Sequence, residues 1–111
     1  MEPRLKTNIV VSAALRRSSQ HAIPMVVARR GDADAGTILV KLNQLELGCT
    51  VLTQTRTPKG ELAWLKATGA APVDEATADA YIARQVKRDP DLWVVEIEDR
   101  AGRSLFDGAI L

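Results

Sequence analysis

His21 and Cys49 are the only histidine and the only cysteine of the chain, and together they are its one possible thiol–imidazole pair. Such a pair within hydrogen-bond reach can generate a thiolate nucleophile. However, the neighbours of Cys49 are Gly48 and Thr50, which do not lower a thiol pKa. His21 follows a predicted helix end, where a cation is favourable without any catalytic role. We therefore predict no catalytic residue, and the sequence leaves open whether His21 and Cys49 meet.

Glu96 and Glu98 are two residues apart in a predicted strand, so their carboxylates point to one face at a separation of roughly 7 Å. Two carboxylates at this spacing can perform acid–base chemistry or bind a divalent cation. Glutamates on a solvated sheet face show the same pattern. A lone cysteine also excludes a multi-cysteine zinc site. We predict no metal site and no cofactor.

Residues 31–36 form a stretch rich in glycine and aspartate. A calcium loop would need further acidic ligands and a closing glutamate, and a phosphate loop would end in Gly-Lys-Ser/Thr before a helix. Here a strand follows, so the stretch predicts a hairpin turn. Its functional interpretation is that the loop tip, which contains Asp32, lies next to Arg29 and Arg30 and receives an anionic ligand there.

The charged residues are nearly balanced, with 15 Lys and Arg against 14 Asp and Glu. Dedicated nucleic-acid-binding proteins usually show a basic excess, so this balance argues against that class. A local basic patch is the alternative, with Trp64 as a stacking platform for RNA bases. The cations that would form it are Arg16, Arg17, Arg29, Arg30, Lys41, Arg56, Lys59 and Lys66.

The length of 111 residues and an apolar fraction of 46% predict one soluble domain over residues 1–111. The N-terminal residues lack the order of charged, apolar and small residues found in a secretory signal. The apolar runs are too short to span a membrane. We therefore expect a cytoplasmic protein without membrane contact.

The chain divides into segments of helical and strand character. In residues 5–20, β-branched residues 9–11 favour a strand, but the length and the alanine-rich centre favour a helix, which we predict with Thr7 or Asn8 as its cap. Residues 75–87 predict a second helix, because apolar residues recur at helical spacing. Strands are predicted over residues 22–30, 37–43, 49–57, 62–68 and after residue 91.

The last strand has the clearest pattern. Pro90 ends the second helix, since proline lacks the amide hydrogen that a helix requires. Trp93, Val95 and Ile97 then alternate with other residues and predict a buried face.

These elements predict an α+β domain in the order α-β-β-β-β-α-β, with about five mostly antiparallel strands and both helices on one face of the sheet. Residues 22–30 and 37–43 are expected to form one hairpin, and residues 49–57 and 62–68 a second. Pro24 restricts its strand to an edge or to a strand start.

Several segments along the chain carry a family resemblance. They are Arg4-Leu5-Lys6-Thr7, Leu15-Arg16-Arg17, Arg30-Gly31-Asp32 with Ala35-Gly36, Leu39-Val40-Lys41 and the block from Arg88 to Arg100. These segments resemble the short alphaproteobacterial proteins of domain-of-unknown-function family 1491, over nearly the whole chain. The resemblance implies a bacterial, cytoplasmic, single-domain protein. It implies no activity, because that family has no established function.

The sequence therefore favours a non-enzymatic accessory or interaction domain that binds a protein partner or a second copy of itself, through an open sheet face or an edge strand. One alternative is binding of a small anionic ligand, or a weak enzymatic role, at the turn from Arg30 to Asp32 beside Glu96 and Glu98. The other is RNA bound on the basic patch.

Overall fold

The computed structural model describes residues 5–111, so Arg4 of the first family-like segment lies outside the described part. The helices are α1, Thr7–His21, and α2, Glu75–Arg88. The strands are β1, Met25–Arg29; β2, Ile38–Asn43; β3, Cys49–Arg56; β4, Leu62–Lys66; β5, Trp93–Glu98; and β6, Ala109–Ile110. The predicted helices and strands are confirmed within a few residues, and β6 is an additional short strand.

All six strands form one sheet in the order β1-β5-β2-β3-β4-β6. β5 pairs antiparallel with β1 and parallel with β2, so the predicted hairpin between the first two strands is wrong. The physical reason is burial, because Val94 and Val95 of β5 are buried on opposite faces whereas Val26 of β1 is 61% exposed. β5 carries the large apolar side chains of Trp93 and Ile97 and takes the interior position, whereas β1 lies at the edge, as Pro24 predicted.

The second hairpin is confirmed. β3 and β4 pair antiparallel from Leu52 opposite Lys66 to Arg56 opposite Leu62. The turn is closed by the amide of Thr57, which donates to the carbonyl of Glu61 at 2.8 Å.

The two helices lie on opposite faces of the sheet, so the prediction that both share one face is wrong. Val40 packs in the cluster that contains Val11 of α1, whereas Leu39 packs in the cluster that contains Ala78 of α2. Successive residues of a strand point to opposite faces, and both faces of β2 are apolar, so each needs its own cover. The α+β class and the mainly antiparallel pairing are confirmed.

Within residues 5–111, neither α-helix combines the length with the apolar character that crossing a membrane requires.

Candidate functional site

Lys41 stands at the centre of a cluster of charged side chains on the α2 face of the sheet. Its side chain is only 7% exposed, and its Nζ lies 2.7 Å from Glu75 Oε2, 2.7 Å from Asp79 Oδ1 and 3.2 Å from Glu96 Oε1. β2 places the lysine in the middle of the sheet, and the neighbouring β5 supplies Glu96. Glu75 and Asp79 lie one helical turn apart on α2, so both reach the same ammonium. The prediction that Lys41 contributes to a basic surface is therefore wrong.

The environment of Lys41 keeps it charged. Burial by itself lowers the lysine pKa, but the hydrogen bonds with Asp79, Glu75 and Glu96 outweigh it and raise the pKa above its usual value. A lysine in this state cannot act as a nucleophile or a general base near neutral pH. The cluster instead connects α2 to the sheet.

The two predicted carboxylates have different surroundings. Glu96 is half-buried and binds Lys41, whereas Glu98 is exposed and forms no ion pair within residues 5–111. The chain therefore presents no free carboxylate pair at this position. In the described part of the chain, no three histidine, cysteine, aspartate or glutamate side chains are arranged to hold a metal ion.

His21 and Cys49 do not meet. Cys49 packs with Ala78 beneath α2, and His21 lies at the end of α1 on the other side of the sheet. Burial raises the pKa of the Cys49 thiol, so the thiol is protonated at neutral pH.

The loop of residues 31–36 packs against the start of β5. The indole Nε1 of Trp93 donates to the carbonyl of Asp32 at 2.7 Å, and the amide of Asp32 donates to the carbonyl of Asp91 at 2.9 Å. A Cβ on Gly31 would overlap the Asp91 carbonyl oxygen, and the same holds for Gly36. The loop is therefore a packed structural element, and the predicted hairpin turn is wrong because the strands on either side of it are not paired with each other.

The same loop also receives the start of α1. The hydroxyl of Thr7 donates to the carbonyl of Gly36 at 2.8 Å, and the amide of Asn8 donates to the carbonyl of Ala33 at 2.9 Å. The N-cap position is Lys6, so neither of the two predicted caps occupies it. Three of the family-like segments thus meet at one place in the fold, which gives them a structural role.

The polar groups predicted to receive an anionic ligand already have protein partners. Arg29 Nη1 donates to the Leu92 carbonyl at 2.6 Å, and the guanidinium of Arg30 lies over the Trp93 ring, 5.2 Å from its centroid. Asp32 Oδ2 accepts the amide hydrogens of Asp34 and Ala35. These groups lie at the start of β5, about 15 Å or more from Glu98 at its end, so the structure does not bring the two halves of that predicted site together.

The predicted basic patch is also dispersed. Arg17 donates to the Leu105 carbonyl at 2.9 Å and pairs with Asp107, towards the end of α1. Arg16 is exposed on the same helix. The loop that follows Arg30 docks at the first turn of α1, about 15 Å from Arg17 along the helix axis.

Trp64 is fully buried, and its Nε1 donates to the Asp107 carbonyl at 2.9 Å, so its ring is not available for stacking on a base.

Two surface features lie outside the predicted sites. One is the outward edge of β1, where Val26 is exposed, and the edge position agrees with the constraint from Pro24. The other is the 3-10 turn Leu45–Leu47 between β2 and β3, where both leucines are about half exposed. The two leucines flank the single residue Glu46, and so short a segment has no periodic signal from which their exposure could be predicted.

Comparison with known proteins identifies the family to which the chain belongs. The model of a protein family of unknown function, DUF1491, matches residues 5–107. The crystal structure of a DUF1491 family protein from Caulobacter crescentus CB15 has 37% sequence identity and a TM-score of 0.86, covering 97% of this chain and 100% of that one. The NMR structure of a DUF1491 family protein from the same organism has 36% identity and a TM-score of 0.84, with 99% of each chain covered.

The solution structure of protein Atu0922 from A. tumefaciens is more distant, with 26% identity and a TM-score of 0.77 over 94% of this chain and 93% of that one. No curated protein matches the chain. The matches extend over almost its whole length, and the fold of the Caulobacter proteins is the one described above. The chain therefore belongs to the DUF1491 family of proteins of unknown function.

Proposed function

We propose that residues 1–111 form a single non-enzymatic interaction domain of the bacterial cytoplasm, and that the outer edge of β1 binds an extended segment of a partner protein. One observation carries the proposal. β1 forms one edge of the sheet and pairs with β5 on one side only, among the residues that the structure describes. An edge strand presents unpaired backbone groups, and adding a partner strand is a recurrent way of using them.

The register defines which groups of β1 face outwards. The amide of Glu98 donates to the carbonyl of Pro24 at 3.0 Å, and Val26 lies opposite Glu96. Because backbone groups of an antiparallel strand alternate in direction, the polar groups of Val26 point to β5 and those of Met25 and Val27 point outwards. The exposed side chain of Val26 offers an apolar contact between these two positions.

The length of the available edge limits the kind of partner. Pro24 lies just before β1, and a bulge interrupts its pairing between Val27 and Arg29. Both features shorten the stretch that a second strand can join, which is how natural sheets prevent indiscriminate edge pairing. A short extended segment with an apolar residue opposite Val26 fits this edge best.

The protonation states of Lys41 and Cys49 support a role in binding over a role in catalysis. Lys41 is held protonated, and the thiol of Cys49 is buried with a raised pKa. Neither group is prepared for nucleophilic or general base catalysis at neutral pH.

The test is affinity capture from extract of the native host with Val26→Lys and Val26→Thr variants. Val26 is 61% exposed in the middle of the edge, so either side chain fits without disturbing the core, and a charge at this position opposes the addition of a strand. We expect wild type and Val26→Thr to retain one near-stoichiometric protein, and Val26→Lys to lose it while unfolding at the same urea concentration. A partner that Val26→Lys still binds would exclude the β1 edge, and a wild-type bait that retains nothing would contradict the proposal.

A further inference from the structure

We infer that two copies of this chain associate through a two-fold contact in which each copy inserts Leu45 and Leu47 into an apolar groove of the other. We call the 3-10 turn Leu45–Leu47 the leucine tip. We call the depression beside β6 the β6 groove, and its lining includes Leu42, Leu52, Lys66, Pro72, Ile110 and Leu111. The association does not depend on the proposed role of the β1 edge, because it uses different elements.

The leucine tip holds apolar side chains in water in a fixed and unfavourable conformation. Leu45 is 48% exposed and Leu47 49% exposed. Leu45 has a φ of 59°, in the left-handed region that leucine rarely adopts. The turn is nevertheless well fixed, because the amide of Leu45 donates to Asn43 Oδ1 at 2.9 Å and its carbonyl accepts from Gly48 at 3.1 Å. Glycine or asparagine would suit the backbone better, so the apolar side chain serves another purpose.

The β6 groove is suited to receive leucine side chains. It has a volume of about 510 Å³, and its lining includes the buried side chains of Leu42 and Leu52, which belong to the cluster that contains Val11. Ile110 and Leu111 form one wall, and the amide of Leu111 donates to the carbonyl of Trp64 at 2.8 Å. Pro72 also lines the groove. Filling this space would remove the exposed apolar surface of Ile110 and Leu111 from water.

The tip and the groove lie at the same end of the molecule. Gln44 precedes the tip and lines the groove, and its Nε2 donates to the Arg100 carbonyl at 3.3 Å. Gly48 follows the tip and lies against Pro72 of the groove. When a projection and a complementary depression lie on one surface, a two-fold axis places the projection of each copy in the depression of the other and closes the dimer. Here the projection is the leucine tip and the depression is the β6 groove.

The charges at this end also complement each other between copies. Glu46 lies between the two leucines, and Lys66 is exposed at the rim of the groove. The hydrogen bond from Arg100 lowers the pKa of Glu46, which is therefore ionised at neutral pH. Lys66 forms no ion pair with any residue in the described part of the chain. The two-fold contact would bring Glu46 of each copy near Lys66 of the other, which favours this pairing over other arrangements.

The first test measures association by sedimentation velocity over a range of protein concentrations. We expect wild type to show a concentration-dependent dimer, and Leu45→Asn to weaken dimerisation by at least about tenfold, since it removes one buried leucine per copy. Asparagine tolerates the left-handed backbone, so the variant monomer should unfold at the same or a higher urea concentration. Leu65→Asn is the matched control, because Leu65 is 43% exposed on β4 and lies outside both surfaces.

A charge exchange tests the two-fold geometry itself. Glu46→Lys leaves only positive charge at these two positions, and Lys66→Glu leaves only negative charge, so each variant alone should dimerise poorly. Mixing the two variants makes both contacts attractive again and should restore a mixed dimer. A wild type that stays monomeric at about 1 mM, within the range where weak interfaces populate dimers, overturns the inference. So does a dimer that Leu45→Asn leaves intact, or a mixture that associates no better than its components.

Discussion

Lys41 and Glu96 lie directly opposite each other on neighbouring parallel strands, with Lys41 Nζ 3.2 Å from Glu96 Oε1. The sequence suggested separate roles for them, the lysine in a basic patch and the glutamate in a carboxylate pair. In the structure the two side chains pair with each other, so Lys41 is not free for a basic patch and Glu96 is not free for a carboxylate pair. With Glu75 and Asp79, the three carboxylates surround one ammonium and leave an excess of two negative charges. This relationship determines how α2 is held on the sheet.

Neutralising the two carboxylates of α2 should destabilise the protein. Glu75→Gln with Asp79→Asn leaves Lys41 with Glu96 as its one anionic partner, and two charge-assisted hydrogen bonds to the buried ammonium become weaker bonds to neutral amides. Because both carboxylates are more than half exposed, we expect a loss of about 2 kcal/mol in the free energy of unfolding. Urea denaturation measures it. Glu98→Gln is the control and should change stability by less than about 0.5 kcal/mol. Equal effects of the double and the control variant would show that the cluster contributes no stability.

The contribution of Lys41 should be independent of pH over the neutral range. Its pKa in the folded state is raised above the usual value of 10.5, so its stabilisation is complete below pH 10.5 and declines only as the pH rises above that value. Lys41→Met should therefore cost the same free energy of unfolding at about pH 6 and about pH 9. Denaturant titrations of both proteins at the two pH values provide the comparison. If the cost of Lys41→Met is smaller at about pH 9 than at about pH 6, Lys41 loses its proton below pH 9.

The sequence predicted the helices, five strands and the α+β class because each depends on local pattern and on burial. The alternation in β5 identified Trp93, Val95 and Ile97 as core residues, and all three are buried. The pairing of β1 with β5 depends on contacts about 70 residues apart in sequence, from Met25 to Ile97, which no local pattern encodes. The local rule that neighbouring strands form hairpins therefore failed at β1 and β2, and succeeded at β3 and β4.

The candidate sites were harder to predict than the fold. Lys41 reads as a surface cation because lysine is almost never buried without a partner, and its partners on α2 are 34 and 38 residues away. The phase of β2 was the available signal, since Lys41 shares one face of the strand with Leu39, and α2 covers that face. Using it would have required knowing that the two helices occupy opposite faces.

Gly31→Ala should destabilise the protein more than Gly60→Ala. A methyl group at Gly31 would overlap the Asp91 carbonyl and lie 2.7 Å from the carbonyl carbon of Leu92, so the loop or β5 must move. We expect a cost of about 3 kcal/mol from this overpacking. Gly60 has a φ of 83° and no atom near its Cβ position, so alanine there should cost about 1 kcal/mol from backbone strain alone. Thermal and urea unfolding distinguish the two, and equal costs would show that residues 31–36 are not tightly packed on β5.

Cys49 should report the opening of α2. Its thiol is buried under that helix and has a pKa raised above the usual 9.0, so Ellman's reagent should modify native protein at about pH 8 far more slowly than unfolded protein. The double variant Glu75→Gln with Asp79→Asn weakens the attachment of α2. If local opening of this helix exposes the thiol, a loss of about 2 kcal/mol should accelerate modification roughly thirtyfold. Glu98→Gln should react at the wild-type rate. A double variant that reacts no faster, despite its lower stability, would show that Cys49 becomes accessible by a movement that leaves the contacts of Lys41 in place.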